Sequence, residues 1–88
     1  MKFSELNSAM EYNLSARQIG VLLLIDLFDK MPGRVIAKRL NIPRPAVTRA
    51  FDGLCLRGLI KRQRGEDDGR DVYGVLTAKG KTLVEKLK

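Results

Sequence analysis

The sequence predicts a mainly α-helical domain with a small β-hairpin wing, a winged helix-turn-helix. Three observations predict it. Two helical segments, 34–40 and 44–56, are separated by the short turn Asn41-Ile42-Pro43. The second segment sets Arg and Thr opposite an apolar stripe. Two strand-like runs, 59–64 and 71–76, follow directly, joined by a polar turn. Two helices joined by three or four residues, the second with outward basic and hydroxyl groups, make a helix-turn-helix, and a hairpin placed after it makes a wing. The chain has 88 residues, a length that supports one modest core and hence one domain. It divides into a leader over 1–13, the helix-turn-helix with its wing over 15–76, and a terminal helix over 77–88.

In the leader, Phe3, Leu6 and Met10 recur at helical spacing up to Tyr12, and Asn13 breaks the pattern. Ser15 is an N-cap, and Gln18 three positions on completes a capping box. The helix that follows is expected over 16–30, ended by Met31-Pro32-Gly33. Ile19, Val21, Leu22, Leu23, Leu24, Ile25, Leu27 and Phe28 make it apolar nearly all round, which predicts the central, most buried helix. Segment 34–40 turns Ile36, Ala37 and Leu40 inward, and Asn41 stops it.

Segment 44–56 carries Pro45 in its first turn, where the missing N–H does no harm. Val47, Ala50, Phe51 and Leu54 fall at i, i+3, i+4, i+7 and form its core stripe. Pro45, Arg49, Asp52 and Leu56 take the opposite face, flanked by Thr48. Gly58 closes the helix as a left-handed cap. The strands 59–64 and 71–76 enclose the turn Gly65-Glu66-Asp67-Asp68-Gly69-Arg70. Thr77 caps the last helix, with Leu83, Val84 and Leu87 inward.

Composition excludes several function classes. There is no His, so His-based metal sites and His acid–base catalysis are out, and a single Cys makes no internal disulfide or Cys zinc site. That cysteine usage fits a reducing compartment such as the cytoplasm. The longest apolar run, around Ile19 and Ile25, is too short to cross a bilayer. Gly65 and Gly69 precede no helix with a Lys and a hydroxyl, so they form no phosphate-binding loop. Glu66-Asp67-Asp68 reads as a solvated tip in place of a metal site. Cys55, beside the core stripe, reads as a small buried hydrophobe, with a thiol activated by Arg57 and Lys61 as the alternative. No nucleophile–base pair is present; the expectation is a non-enzyme without cofactor or metal.

Charge points to the partner. The chain has 17 Lys and Arg against 10 Asp and Glu, a net +7. Segment 34–70 alone holds ten of these cations and four of the acids, six of the seven net charges. A polyanion is therefore expected, and duplex DNA in particular, because the excess lies where a winged helix meets it.

Several stretches together resemble the MarR family of winged-helix regulators. They are Leu14-Ser15-Ala16-Arg17-Gln18, then Ile36-Ala37-Lys38-Arg39-Leu40-Asn41-Ile42-Pro43-Arg44-Pro45-Ala46-Val47-Thr48-Arg49, and Gly58-Leu59-Ile60-Lys61-Arg62. Asp68 and Arg70 resemble the family's Asp-x-Arg wing motif, and Leu76-Thr77-Ala78-Lys79-Gly80 its Leu-Thr-x-x-Gly. The resemblance implies a bacterial transcriptional regulator, a repressor or activator that occupies an operator. Family members are usually about half as long again, with terminal helices that interlock into a dimer beside an effector pocket. This chain is read as a minimal version that keeps the DNA reader and lacks most of those helices.

On that reading helix 44–56 lies in the major groove. Arg44, Thr48 and Arg49 face base edges, with guanine as the natural Arg target, or touch phosphate only. Pro45 adds apolar contact to a thymine methyl. Asp52 accepts from cytosine or holds Arg49 at i, i+3. Wing 65–71 lies at the minor groove, which the matching Arg of the family enters; Arg70 takes that place, or is a solvated tip. Arg62 and Arg64 share one strand face, with Lys61 on the other, as phosphate clamps or solvated edges. A homodimer on a palindrome is the expected form, since one module gives limited affinity. The surplus apolar residues of 16–30, with Phe3, Leu6 and Met10, supply that interface or fill one core. The rival reading is an adaptor that docks its winged helix on RNA polymerase or another regulator. A cytoplasmic, nucleoid-associated location and no membrane partner complete the expectation.

Overall fold

The computed structural model describes residues 12–65 and 71–88. Within them the order is α1 (Ala16–Phe28), β1 (Lys30–Pro32), α2 (Gly33–Leu40), α3 (Arg44–Leu56), β2 (Ile60–Arg64), β3 (Val72–Leu76) and α4 (Ala78–Leu87). The leader helix expected up to Tyr12 lies, Tyr12 apart, outside the described residues, as do Glu66, Asp67, Asp68, Gly69 and Arg70 of the wing turn.

Ser15 starts α1 as a capping box. Its hydroxyl accepts from the Gln18 backbone N–H at 3.1 Å, and the Gln18 amide oxygen accepts from the Ser15 N–H at 2.9 Å. The helix ends at Phe28, two residues earlier than expected, where Asp29 takes φ 72°. The reason is tertiary. Lys30, Met31 and Pro32 pair antiparallel with Val75, Gly74 and Tyr73, which turns the expected hairpin into a three-stranded sheet of order β1-β3-β2. Pro32 sits on the edge strand, where a missing N–H is tolerated, and Met31 is buried.

The expectation that α1 is buried all round is also corrected. Val21, Leu22 and Ile25 are buried, but Leu23, Leu27 and Phe28 are exposed. Apolar composition placed the helix in the core; among the described residues the other elements cover only one side of it. The Arg39 guanidinium covers part of Phe28, 4.5 Å above its ring.

The helix-turn-helix forms from local signals. Asn41 adopts the left-handed conformation at φ 54°, ψ 50°, and the Ile42 N–H donates to the Ala37 carbonyl at 3.0 Å. This is the αL stop that Asn tolerates. Pro43 is extended and Pro45 lies in the first turn of α3. The expected stripe Val47, Ala50, Phe51 and Leu54 is buried, with Ala46 added. Gly58, at φ 72°, turns the chain out of α3 in a conformation that a Cβ would strain. Its N–H donates to the Cys55 carbonyl at 2.9 Å, and the Leu59 N–H to Leu54 at 3.0 Å.

β2 then pairs with β3 from Ile60 opposite Leu76 to Arg64 opposite Val72. Leu83 and Val84 of α4 are buried and Leu87 packs against the same core. The Lys88 ammonium reaches Asp26 of α1 at 3.0 Å. The core therefore lies between α1, α2, α3, α4 and the sheet, and among the described residues nothing covers the outer face of α3.

Candidate nucleic-acid interface

The buried stripe of α3 dictates what faces out. Arg44, Pro45, Thr48, Arg49, Asp52 and Leu56 are all exposed. Arg49 stands at the middle of this face, and among the described residues it has no hydrogen bond or ion pair. Arg44 and Thr48 stand at the mouth of a cleft of about 190 Å³ between α3 and the sheet, whose walls include Val47, Phe51 and Val72.

Arg62 lies on the far side of that cleft and crosses it. Ile60, Arg62 and Arg64 share a strand face, and Ile60 is buried in the core, so this face turns toward α3. The Arg62 guanidinium donates to Asp52 Oδ1 at 2.5 Å and to the Thr48 carbonyl at 3.3 Å. It also approaches Cys55 Sγ at 3.7 Å and lies 5.7 Å from the Phe51 ring centre. Asp52 therefore holds Arg62, and not Arg49, which was one of the two alternatives for it. An i, i+3 partner on the same helix was the local choice, but the strand delivers a guanidinium that bridges three successive turns. Cys55 is half-buried beside the core. Arg64 and Lys61 are exposed on β2.

At the root of the wing, Asp71 receives two hydrogen bonds from Arg34, at 2.8 and 3.1 Å. This fork ties the start of α2 to the strand that leaves the wing turn. Nothing local announces the pair. The Arg34 hydrogen bonds hold the Asp71 carboxyl below its ordinary range, and the positive charges of Arg34 and Arg44 act in the same direction. A depressed carboxyl stabilises the fold above its unfolded value, about 4, and that contribution disappears as pH falls through the lower folded value. Urea unfolding of Asp71→Asn is therefore expected to show a deficit against the parent at neutral pH that closes on acidification below about pH 4. A deficit that stays constant with pH would contradict the ionic origin.

The charge count of the segment thus overstates the free cations. Arg34 pairs with Asp71 and Arg62 with Asp52. Arg57 turns inward and donates to the Tyr12 carbonyl at 2.6 Å and the Gly53 carbonyl at 2.9 Å. Lys38, Arg44, Arg49 and Lys61 are exposed and, among the described residues, carry no hydrogen bond or ion pair.

Comparison with known proteins decides the family. The MarR family profile matches residues 12–71, more than half of the chain. The chain belongs to the MarR family. A relative, the HTH-type transcriptional repressor YetL of Bacillus subtilis (strain 168), is 29% identical over 89 residues, which is 93% of this chain and 53% of YetL. The crystal structure of YusO from Bacillus subtilis matches with a TM-score of 0.84 at 26% identity, covering 94% of this chain and 59% of YusO. The apo form of MarR from E. coli matches with a TM-score of 0.80 at 26% identity, covering 91% of this chain and 59% of MarR. The chain thus spans a little over half the length of these relatives. The four helices and three-stranded antiparallel sheet of the described residues are the winged-helix architecture of MarR regulators. Among the described residues no helix is long and apolar enough to cross a membrane.

Proposed function

We propose that the protein is a sequence-specific double-stranded DNA-binding transcriptional regulator of the MarR type. Helix α3 enters the major groove with Arg44, Thr48 and Arg49 toward base edges and Pro45 against a thymine methyl. The wing over 65–71 lies at the minor groove with Arg70, and Arg64 reaches the phosphate backbone. Arg62 braces the wing stem. The observation that carries this reading is the bare face of α3, where Arg49 is exposed and has no hydrogen bond or ion pair among the described residues, and Arg44 and Thr48 stand beside it. A homodimer would set two such helices on the two halves of a palindrome, and Leu23, Leu27 and Phe28 of α1 are exposed apolar groups available to a second copy. The regulator would act on the chromosome in the cytoplasm.

The test is fluorescence polarisation against genomic duplexes over a range of salt. Saturable binding with a steep salt dependence and about 10³-fold preference for a subset of sequences is expected. Equal affinity for every duplex would leave a sequence-blind binder. Absence of saturable binding would overturn the reading, and a protein partner retained after nuclease treatment would point to an adaptor.

A further inference from the structure

One cation at the edge of the DNA-facing surface is already engaged. The Arg62 head group contacts Asp52, the Thr48 carbonyl and Cys55 Sγ, three positions spaced i, i+4, i+7 along one side of α3. We propose that Asp52 withholds Arg62 from the phosphate backbone, and so sets how strongly this module grips any duplex. The proposal rests on the DNA-binding reading above and assigns Asp52 a restraining role, not the reading of a base.

The geometry supports it in three ways. Asp52 is the one acid among the outward residues of α3, and its Oδ1 is engaged by Arg62. The pair lies at the solvent edge, with side chains 37% and 63% exposed, so an Arg62 head group released from Asp52 is within reach of a bound polyanion. Finally, the remaining Arg62 contacts, to a carbonyl, a sulfur and a ring, bear no charge that would hold the guanidinium once the carboxylate is gone. Neutralising Asp52 therefore releases a cation at the rim of the face that carries Arg44 and Arg49. Contacts to phosphate carry no sequence information, so the gain should appear on any duplex.

The experiment compares the parent chain, Asp52→Asn and the double variant Asp52→Asn with Arg62→Gln on a short random-sequence duplex. The slope of log affinity against log salt is measured for each. The double variant is the reference, because it replaces a neutral pair with a neutral pair. The parent is expected to share its slope. Asp52→Asn is expected to be steeper by about 0.9, one phosphate's worth, and tighter by roughly eight-fold at about 0.1 M salt. Three other results overturn the proposal. If Asp52→Asn and the double variant have the same slope, released Arg62 does not reach DNA. If the parent is already steeper than the double variant by that amount, Arg62 is on phosphate from the start. A changed base preference in Asp52→Asn at unchanged slope would make Asp52 a base reader and also overturn it. Amide exchange of the free protein separates the clasp from its consequence: β2 amides should exchange faster in Asp52→Asn. If the parent binds no duplex, the DNA-binding reading fails and the restraining role falls with it, while this exchange difference still decides whether Asp52 anchors the wing stem.

Discussion

Arg49→Ala is expected to weaken binding to the preferred duplex by about 1–3 kcal/mol, roughly five- to 160-fold, and to relax the preference at one base pair. The argument starts from packing. With Val47, Ala50, Phe51 and Leu54 buried on one side of α3, helical geometry points position 49 away from the core. Its guanidinium is exposed and, among the described residues, unbonded, so no internal contact competes with a base edge. For the same reason the substitution should leave thermal stability nearly unchanged, which separates a binding defect from a folding one. Selection from a random duplex pool identifies the preferred sequence for the parent and for the variant. A uniform loss on all sequences, with a salt slope reduced by about 0.9, would show that Arg49 touches phosphate only.

The parts of this fold that were legible in the sequence are those whose cause is local. The turn at Asn41 and Pro43, the Ser15 box, the stripe of α3 and the cap at Gly58 each rest on residues within a few positions of one another, and each stands as expected. What was not legible depends on distant partners. Lys30 to Pro32 becomes a strand only because β3 lies beside it; three residues carry no period of their own. The apolar girth of α1 misled, because composition does not say which side the other helices occupy. The Asp52 partner was missed for the same reason: Arg49, one of the two alternatives, is near in sequence, and Arg62 is near only after the hairpin folds back. Counting charge over 34–70 located the basic region but overstated it, as Arg34, Arg57 and Arg62 are engaged within the protein.

The motif Leu76-Thr77-Ala78-Lys79-Gly80 acquires a physical account that leads to the largest expected loss of stability. Thr77 makes three bonds at one corner. Its N–H donates to the Leu59 carbonyl at 3.1 Å, its hydroxyl donates to the Gly58 carbonyl at 2.7 Å, and the same oxygen accepts from the Gly80 N–H at 3.0 Å. The corner draws the first turn of α4 onto the start of β2 so closely that a Cβ at Gly80 would overlap the Leu59 carbonyl oxygen. Backbone cannot swing aside as a side-chain end can. Gly80→Ala must therefore push α4 away and weaken the Thr77–Leu59 bond, with Leu83 and Val84 losing part of their packing. Overpacking of this kind costs about 1–3 kcal/mol and a hydrogen bond about 1 kcal/mol, against a gain of about 1 kcal/mol for Ala over Gly in a helix. The net loss is about 2 kcal/mol, or roughly 8–16 °C in Tm for a domain of this size. Gly20→Ala is the control. At that position in α1 the new methyl meets, among the described residues, only the Leu40 side chain at 3.9 Å, an ordinary contact, so the helix preference should act alone and raise stability by about 0.5–1 kcal/mol. The same substitution in two helices is thus expected to change stability in opposite directions. If denaturant melts show Gly80→Ala as stable as the parent, the close approach of α4 to Leu59 is not a constraint on the fold.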